Sequence, residues 1–456
     1  MGKLATKTIG REKVFESICK ATRMDTLGLF IGSGFSKALL ENHPHSKTYS
    51  WAELLQKAAD DMGITREILN EGKPYPEVAS VLCQEYVRLK SVSYQEAERT
   101  LKFKIAEFVN VSPTDKITEE YEEIFKRLNP NWIVTTNYDF IIEQILHEKA
   151  FPINPRDSYL KTKDFTPVYH IHGSISDPES IVITNEDYTH TLRISDYRHA
   201  RLPFLIKEST VLMIGYSMND LNVLSAVDYS KNIYSNDMPY DTPIIQLLYK
   251  RYPDSEPYYS DNGIIVQEIS DLSEYFADYL TYDTRFRGEI GKTKKKVNDL
   301  VDKFTKADDK LVEDFIKNSS YRLNYINQIA SFDPEFWYIY SSYTAFLNKC
   351  FGVLWNRASA YNAFDEYNNI LLLLIDVIKS INYDNVPASF IEYVVGQFAD
   401  VAYYVGNEIG KSFSAHNTWL NQKDSIPNQF INEYTKRRKD EFKYQCGLKL
   451  IEDIAE

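Results

Sequence analysis

The chain has 456 residues, of which 43% are hydrophobic and 14% aromatic, with 34 Tyr, and this excludes disorder as its main state. Its 52 basic and 65 acidic side chains give a formal charge of −13, a balance that argues against direct nucleic-acid binding. The acidity is uneven: residues 291–456 hold 20 basic and 22 acidic side chains, 20 − 22 = −2, which leaves −11 for the first 290.

Residues 10–22 predict a short amphipathic helix with Val14, Ile18 and Ala21 on one face. The apolar run Leu27 to Ile31 predicts a buried strand and ends in Gly32-Ser33-Gly34-Phe35-Ser36. A helix follows at Trp51 to Met62, and residues 65–128 are mostly helical by period. Trp132 to Val134 predicts a second strand, followed by Thr135-Thr136-Asn137-Tyr138-Asp139 and a helix from about Phe140 to Lys149. Further strands are expected at Pro167 to Ile171, Ser180 to Ile183, Thr210 to Ile214, Pro243 to Tyr249 and Gly263 to Gln267. Short apolar strands alternating with helices predict an α/β fold with a parallel, Rossmann-like sheet. Glycine and polar residues gather just after the strands, the edge where open α/β sheets bind ligands.

The polar, basic stretch from Gly288 to Lys296 reads as a boundary. It divides the chain into a domain of residues 1–288 and an all-α domain of residues 289–456, in which strand patterns are scarce. Cys19, Cys83, Cys350 and Cys446 are far apart, with no CxxC pair and no zinc-ribbon spacing, so free thiols are expected and no metal site. The N-terminus lacks a signal-peptide core, and no apolar run approaches the ~18–20 residues that span a bilayer. A cytoplasmic protein without membrane contact is expected.

Four constellations carry chemistry. Glycines in Gly32-Ser33-Gly34 let a backbone approach a pyrophosphate at a helix N-terminus, although Lys37 stands where GxGxxG has its third glycine. Asn137 offers a donor and an acceptor for a ribose hydroxyl or a water, and capping explains the same motif. In His170-Ile171-His172-Gly173, strand alternation puts both imidazoles on one face, and a histidine at a strand end suits proton transfer near neutral pH. Gly215-Tyr216-Ser217, with Asp220, reads as another strand-to-helix turn.

In this order and spacing the motifs resemble the sirtuin fold family over about residues 20–280. The family's glycine turn, its Thr-Gln-Asn-Ile-Asp, its His-Gly and its Gly-x-Ser stand here as Gly32 to Ser36, Thr135 to Asp139, His172-Gly173 and Gly215 to Ser217. The chain departs from protein deacylases: zinc cysteines are missing, Lys37 to Leu40 replaces the Gly-Ile-Pro-Asp-Phe-Arg loop, and Thr136 replaces the family Gln. With Ser50 to Leu55 and Asn185 to Tyr188, it is similar instead to the sirtuin-like NADases of bacterial antiphage defence, of the Thoeris-effector and HerA-associated types.

The resemblance implies hydrolysis of NAD⁺, as substrate, to nicotinamide and ADP-ribose in abortive infection. It implies Asn137 and His172 as catalytic residues, Asn137 placing water and ribose and His172 acting as base. It implies an NAD⁺ site built from Gly32, Ser33, Gly34, Phe35, Ser36, Thr136, Gly215 and Ser217, while Asp139 and Asp220 either contact a ribose or cap a helix. Control is expected from homo-oligomerisation or from a partner such as a HerA-type ATPase or a phage-derived activator. The alternatives are a non-catalytic NAD or ADP-ribose sensor and an NAD-dependent protein deacylase.

Overall fold

The computed structural model describes residues 8–65, 72–155, 157, 164–191, 197–216, 227–228, 230, 243–360, 364–437 and 442–455. Two compact units divide the chain, the first ending at Arg287 and the second beginning at Gly288.

The first unit is built on an eight-stranded sheet. In chain order the strands are β1 (Leu27–Ile31), β2 (Trp132–Thr135), β3 (Ala150–Ile153), β4 (Thr166–His170), β5 (Thr210–Ile214), β6 (Ile244–Tyr249), β7 (Tyr258–Tyr259) and β8 (Ile265–Ile269). Their spatial order is β3-β4-β2-β1-β5-β6-β8-β7, and every pairing is parallel except β7 with β8. Central parallel strands are covered on both faces and therefore read as unbroken apolar runs. β1 and β5 are buried at every position.

The helices of this unit are α1 (Arg11–Arg23), α2 (Ser33–Leu40), α3 (Trp51–Asp61), α4 (Tyr75–Lys90), α5 (Tyr94–Phe108), α6 (Asp115–Leu128), α7 (Ile141–Leu146), α8 (Asn185–Thr191), α9 (Tyr197–Lys207) and the part of α10 (Leu272–Thr305) up to Arg287. α1 packs on β1, β5 and α6. Its Phe15 meets Tyr275 of α10 edge-on at 5.4 Å. Ile206 of α9 packs with Phe30, Trp132, Val211 and Met213 of the sheet. α3, α4 and α5 form a separate helical cluster with its own apolar core, which also takes in Tyr138, Ile181 and Ile183.

The structure departs from the sequence reading at two places. Ser180 to Ile183 pairs with no strand; its isoleucines are fully buried against α3, α4 and α5, so the apolar run answers to a helical cluster. The edge strand β3, Ala-Phe-Pro-Ile, was not anticipated, and its proline fits an edge position. At Gly288 to Lys296, the stretch read as a boundary, α10 runs on without a break, and the two units divide at Gly288 within it. Beyond Thr305, every named element among the described residues is a helix. This second unit has an aromatic core, with Phe346 against Phe304 at 5.0 Å and Phe315 at 4.9 Å.

Candidate active site

Sheet register fixes the site. Ile31 pairs with both Thr135 and Ile214, and Thr135 pairs with His170, so these four residues form one row across β5-β1-β2-β4. Asn137 lies two residues past the end of β2 and His172 two past the end of β4. The register thus brings them, with Gly32 and Gly215, to one sheet edge. The chain leaves β1 toward β2 and leaves β5 toward β6, so strand order reverses between β1 and β5, where open sheets place their ligand crevice.

The first turn is closed tightly onto β5. Gly32 N donates to Ile214 O (2.9 Å) and Gly34 N to Gly215 O (3.0 Å). A Cβ on Gly34 would lie 2.8 Å from the Gly215 Cα. Gly215 has φ +64°, and a Cβ there would lie 2.1 Å from Phe35 N. Only glycine is compatible with both this contact and this dihedral. Ser33 is exposed and Gly34 half-exposed at the start of α2. The Phe35 ring lies in the core against Tyr121 (5.6 Å) and Phe125 (5.9 Å), so its side chain belongs to packing.

Asn137 is the most constrained residue of the edge. Its N–H donates to Thr135 Oγ1 (3.0 Å), whose own hydroxyl donates to Ile31 O (2.9 Å). Its Nδ2 donates to Gly32 O (3.2 Å) and Ser36 Oγ (3.0 Å). The Ser36 hydroxyl in turn donates to Asp139 Oδ2 (2.9 Å), and Asp139 Oδ1 accepts from Ile141 N (3.2 Å). The donor direction is forced along this relay, so the Asn137 amide has one orientation. Its Oδ1 is buried without a hydrogen-bond partner among the described residues. A buried acceptor left open at a strand end is a place for a substrate hydroxyl or a water. Asp139 is both the cap of α7 and the anchor of Ser36. Burial pushes its carboxyl above the ordinary range, against the opposing pull of Ser36, the Ile141 amide and His170.

The two histidines do not share one environment. β4 ends at His170, so the alternation expected to align His170 with His172 stops there. His170 is buried beside Phe140 (5.4 Å), with Nε2 on Glu143 Oε1 (2.7 Å) and Nδ1 on Asn137 O (3.0 Å). His172 is buried with its ring edge-on to Tyr188 of α8 at 5.4 Å. Its carbonyl accepts from Val182 N (2.9 Å). Gly173 has φ +80°, and a Cβ there would meet Ser180 O at 2.3 Å, so the turn after His172 also requires glycine.

Thr136 is half-buried beside Asn137. Ser217 and Asp220 lie outside the described residues. The segment behind His172 is held by Asp187, whose Oδ2 accepts from Ile183 N, Thr184 N and the Thr184 hydroxyl, while Oδ1 takes Lys102 Nζ (2.7 Å). Burial raises the Asp187 carboxyl, but Lys102 and these donors bring it below its usual range. Sequence reasoning missed Glu143, Lys102 and the anchoring role of Ser36. Only Thr135 carried a local signal, since a Thr two residues before an amide is an ST-turn pattern.

The thiols are free; burial pushes Cys19, Cys83 and Cys350 up to about 12, so none is a poised nucleophile. Among the described residues no group of three or more His, Cys, Asp or Glu is arranged so that it could hold a metal ion. No described helix is long and apolar enough to cross a membrane.

Residues 131–265, which include β2 to β6, match the family model described as a SIR2-like domain. Three relatives are similar over longer stretches. NAD(+) hydrolase ThsA of Bacillus cereus (strain MSX-D12) is 25% identical over 276 residues, 58% of this chain and 52% of that protein. NAD(+) hydrolase ThsA of Enterococcus faecium is 23% identical over 292 residues, 60% of this chain and 55% of that one. Defense-associated sirtuin 2 of Bacillus subtilis is 20% identical over 225 residues, 48% of this chain and 20% of that protein. The resemblance to sirtuin-like defence NADases therefore holds in sequence. The chain spans about half the length of the two hydrolases it matches.

Proposed function

We propose that the first unit hydrolyses NAD⁺ to nicotinamide and ADP-ribose. The observation that carries this reading is the fixed Asn137 amide, with Oδ1 buried and without a partner among the described residues, at the sheet edge that also carries His172. The relatives named NAD(+) hydrolase support it.

The bond that breaks joins the nicotinamide nitrogen to the ribose anomeric carbon, and its electron pair leaves with nicotinamide. Positive charge develops on the ribose. Asn137 Oδ1 accepts from a ribose hydroxyl or from the attacking water, which it holds on the anomeric carbon. His172 takes the water's proton, directly or through a ribose hydroxyl, as the new carbon–oxygen bond forms. Nicotinamide leaves neutral, so no strong acid is needed. Glycine at Gly32, Gly34 and Gly215 lets the pyrophosphate approach the start of α2. NAD⁺ depletion of this kind serves antiphage defence, and the helical unit carries the control, through self-assembly or a partner such as a HerA-type ATPase or a phage-derived activator.

The test is to incubate the purified chain with NAD⁺ and follow nicotinamide and ADP-ribose by chromatography, alone and with a co-expressed ATPase partner, while reading mass in solution. Loss of a general base lowers rates by about 10²–10⁴. His172→Ala and Asn137→Ala are expected to lose nicotinamide release on that scale while remaining folded. A chain that binds NAD⁺ and never releases nicotinamide, alone or with a partner, is a sensor instead.

A further inference from the structure

Every polar atom of Asn137 except Oδ1 is engaged, and its carbonyl is held by an imidazole. A carbonyl oxygen only accepts, so His170 Nδ1 carries a proton and donates to it (3.0 Å). On the opposite side, Nε2 meets the Glu143 carboxylate at 2.7 Å. The His170 side chain is fully buried, and Glu143 is only 12% exposed. A buried pair of this kind is weak evidence for stability, because desolvation offsets much of the attraction. Its geometry gives it another use. Thr135 holds the Asn137 N–H, Gly32 and Ser36 hold the amide nitrogen, and His170 alone among these contacts holds the carbonyl.

We propose that His170, steadied by Glu143 from α7, is a positioning residue that fixes the Asn137 peptide and so aims Oδ1 at the reacting ribose or water. The inference rests on the hydrolase reading above for the reaction it serves. The HxH motif is then not a pair of equivalent histidines: His172 moves a proton and His170 holds the residue that places the water. A misplacement of about 1 Å lowers turnover on the order of 10²-fold, so a positioning role is felt in kcat more than in KM.

Two variants separate the halves of the clamp. In His170→Gln the side-chain amide nitrogen replaces Nε2, keeps the Glu143 contact and loses Asn137. In the double variant His170→Asn with Glu143→Gln, the amide nitrogen replaces Nδ1, keeps Asn137 and removes the ion pair. With folding checked by circular dichroism, His170→Gln is expected to lose kcat about 10²-fold with little change in KM, and the double variant to recover most of it. Equal losses in both variants, in step with lowered melting temperature, would overturn the proposal in favour of a structural pair. A second reading needs no turnover: ¹⁵N-histidine spectra, with His170→Gln for assignment, are expected to show a protonated, hydrogen-bonded Nδ1 on His170. An unprotonated Nδ1 overturns the contact even in an active enzyme. A wild-type chain that releases no nicotinamide, yet shows that proton, fails the hydrolase reading and leaves the clamp standing.

Discussion

The two units bury polar groups for opposite ends. In the sheet unit many gather at or just past the strand ends: Thr135 and His170 close β2 and β4, and Ser36, Asn137, Asp139, His172, Ser174 and Thr184 follow strands or their turns. In the helical unit only Arg322 and Ser412 are so buried among the described residues. Arg322 is saturated, giving Nη1 to the carbonyls of Phe315 and Ile316 and Nε and Nη2 to Asp376 Oδ2. It ties the C-terminus of helix Asp309–Lys317 to helix Phe364–Ser380, a cation where the helix dipole is negative. Asn137 keeps one atom open. A saturated buried group locks a fold, whereas an acceptor left open at the strand ends of a parallel sheet lies where a ligand is received.

The largest effect that can test this contrast is Arg322→Ala. It leaves Asp376 facing a place the cation has left and opens two helix carbonyls, at a cost of about 3–5 kcal/mol. Denaturant unfolding followed by circular dichroism is expected to show that loss. In NAD⁺ assays well below the unfolding midpoint, any surviving native protein should turn over at the wild-type rate per folded molecule. Reduced turnover in fully folded Arg322→Ala protein would mean that the lock also serves the site.

The middle effect concerns the relay under Asn137. Ser36→Ala removes an acceptor from the amide and a donor to Asp139, a change of about 1 kcal/mol in stability. Asn137 Nδ2 then keeps Gly32 O alone, so the aim of Oδ1 loosens and turnover is expected to fall about tenfold or more. Asp139→Asn acts differently. Burial raises the folded carboxyl above its ordinary value of 3.8, so between 3.8 and that higher value the native state holds more proton than the unfolded state. Stability therefore falls as pH rises through that window. Asp139→Asn removes this slope, keeps an oxygen for Ile141 N and presents a donor where Ser36 needs an acceptor. Unfolding midpoints across pH are expected to rise at pH 7 relative to wild type while nicotinamide release falls, the trade-off of a site that stores unfavourable burial. A variant less stable at pH 7 and fully active would show that Asp139 is an ordinary cap.

Much of this contrast was legible in residues alone. Leu27 to Ile31 and Thr210 to Ile214 read as strands because both their faces are covered, and Asn137, His172, Gly32 and Gly215 stood out because glycine and polar residues follow such runs. The relay from Asn137 through Ser36 to Asp139 was not legible, since Ser36 and Asn137 are about a hundred positions apart and meet only through sheet register. His170 was misplaced beside His172 because strand alternation was carried two residues past the point where β4 ends. Ile181 to Ile183 misled for a related reason: an apolar run records burial, and here what buries it is a helical cluster. Composition marked Gly288 to Lys296 as a boundary but did not show that a helix runs through it: a long, solvated helix tolerates two glycines and a run of lysines when its apolar stripe continues on either side.

The smallest effect probes whether that helical cluster serves the site or only covers it. Ser50 and Glu53 form a capping box at the start of α3: Ser50 Oγ accepts from Glu53 N (3.3 Å) and Glu53 Oε2 from Ser50 N (2.8 Å). The first residue of α3, Trp51, lies edge-on to Tyr138 at 6.4 Å, and the Tyr138 hydroxyl donates to Val182 O (2.8 Å), next to the strap that holds the His172 carbonyl. Ser50→Ala is expected to lower stability by about 0.5–1 kcal/mol. The Ser50 amide, helped by Lys47, holds Glu53 down to about 2, so its contribution is full above the ordinary 4.5 and is lost as pH falls from there through about 2. Ser50→Ala keeps the Ser50 amide and Lys47, so both chains should lose this contribution in acid, and their melting temperatures should differ at pH 7 and in acid alike. If α3 is only a cover, kcat in Ser50→Ala stays at the wild-type value. A fall in kcat with unchanged KM would place the cap, through Trp51 and Tyr138, among the groups that hold His172, and would move the line between lock and aim from the unit boundary into the sheet unit itself.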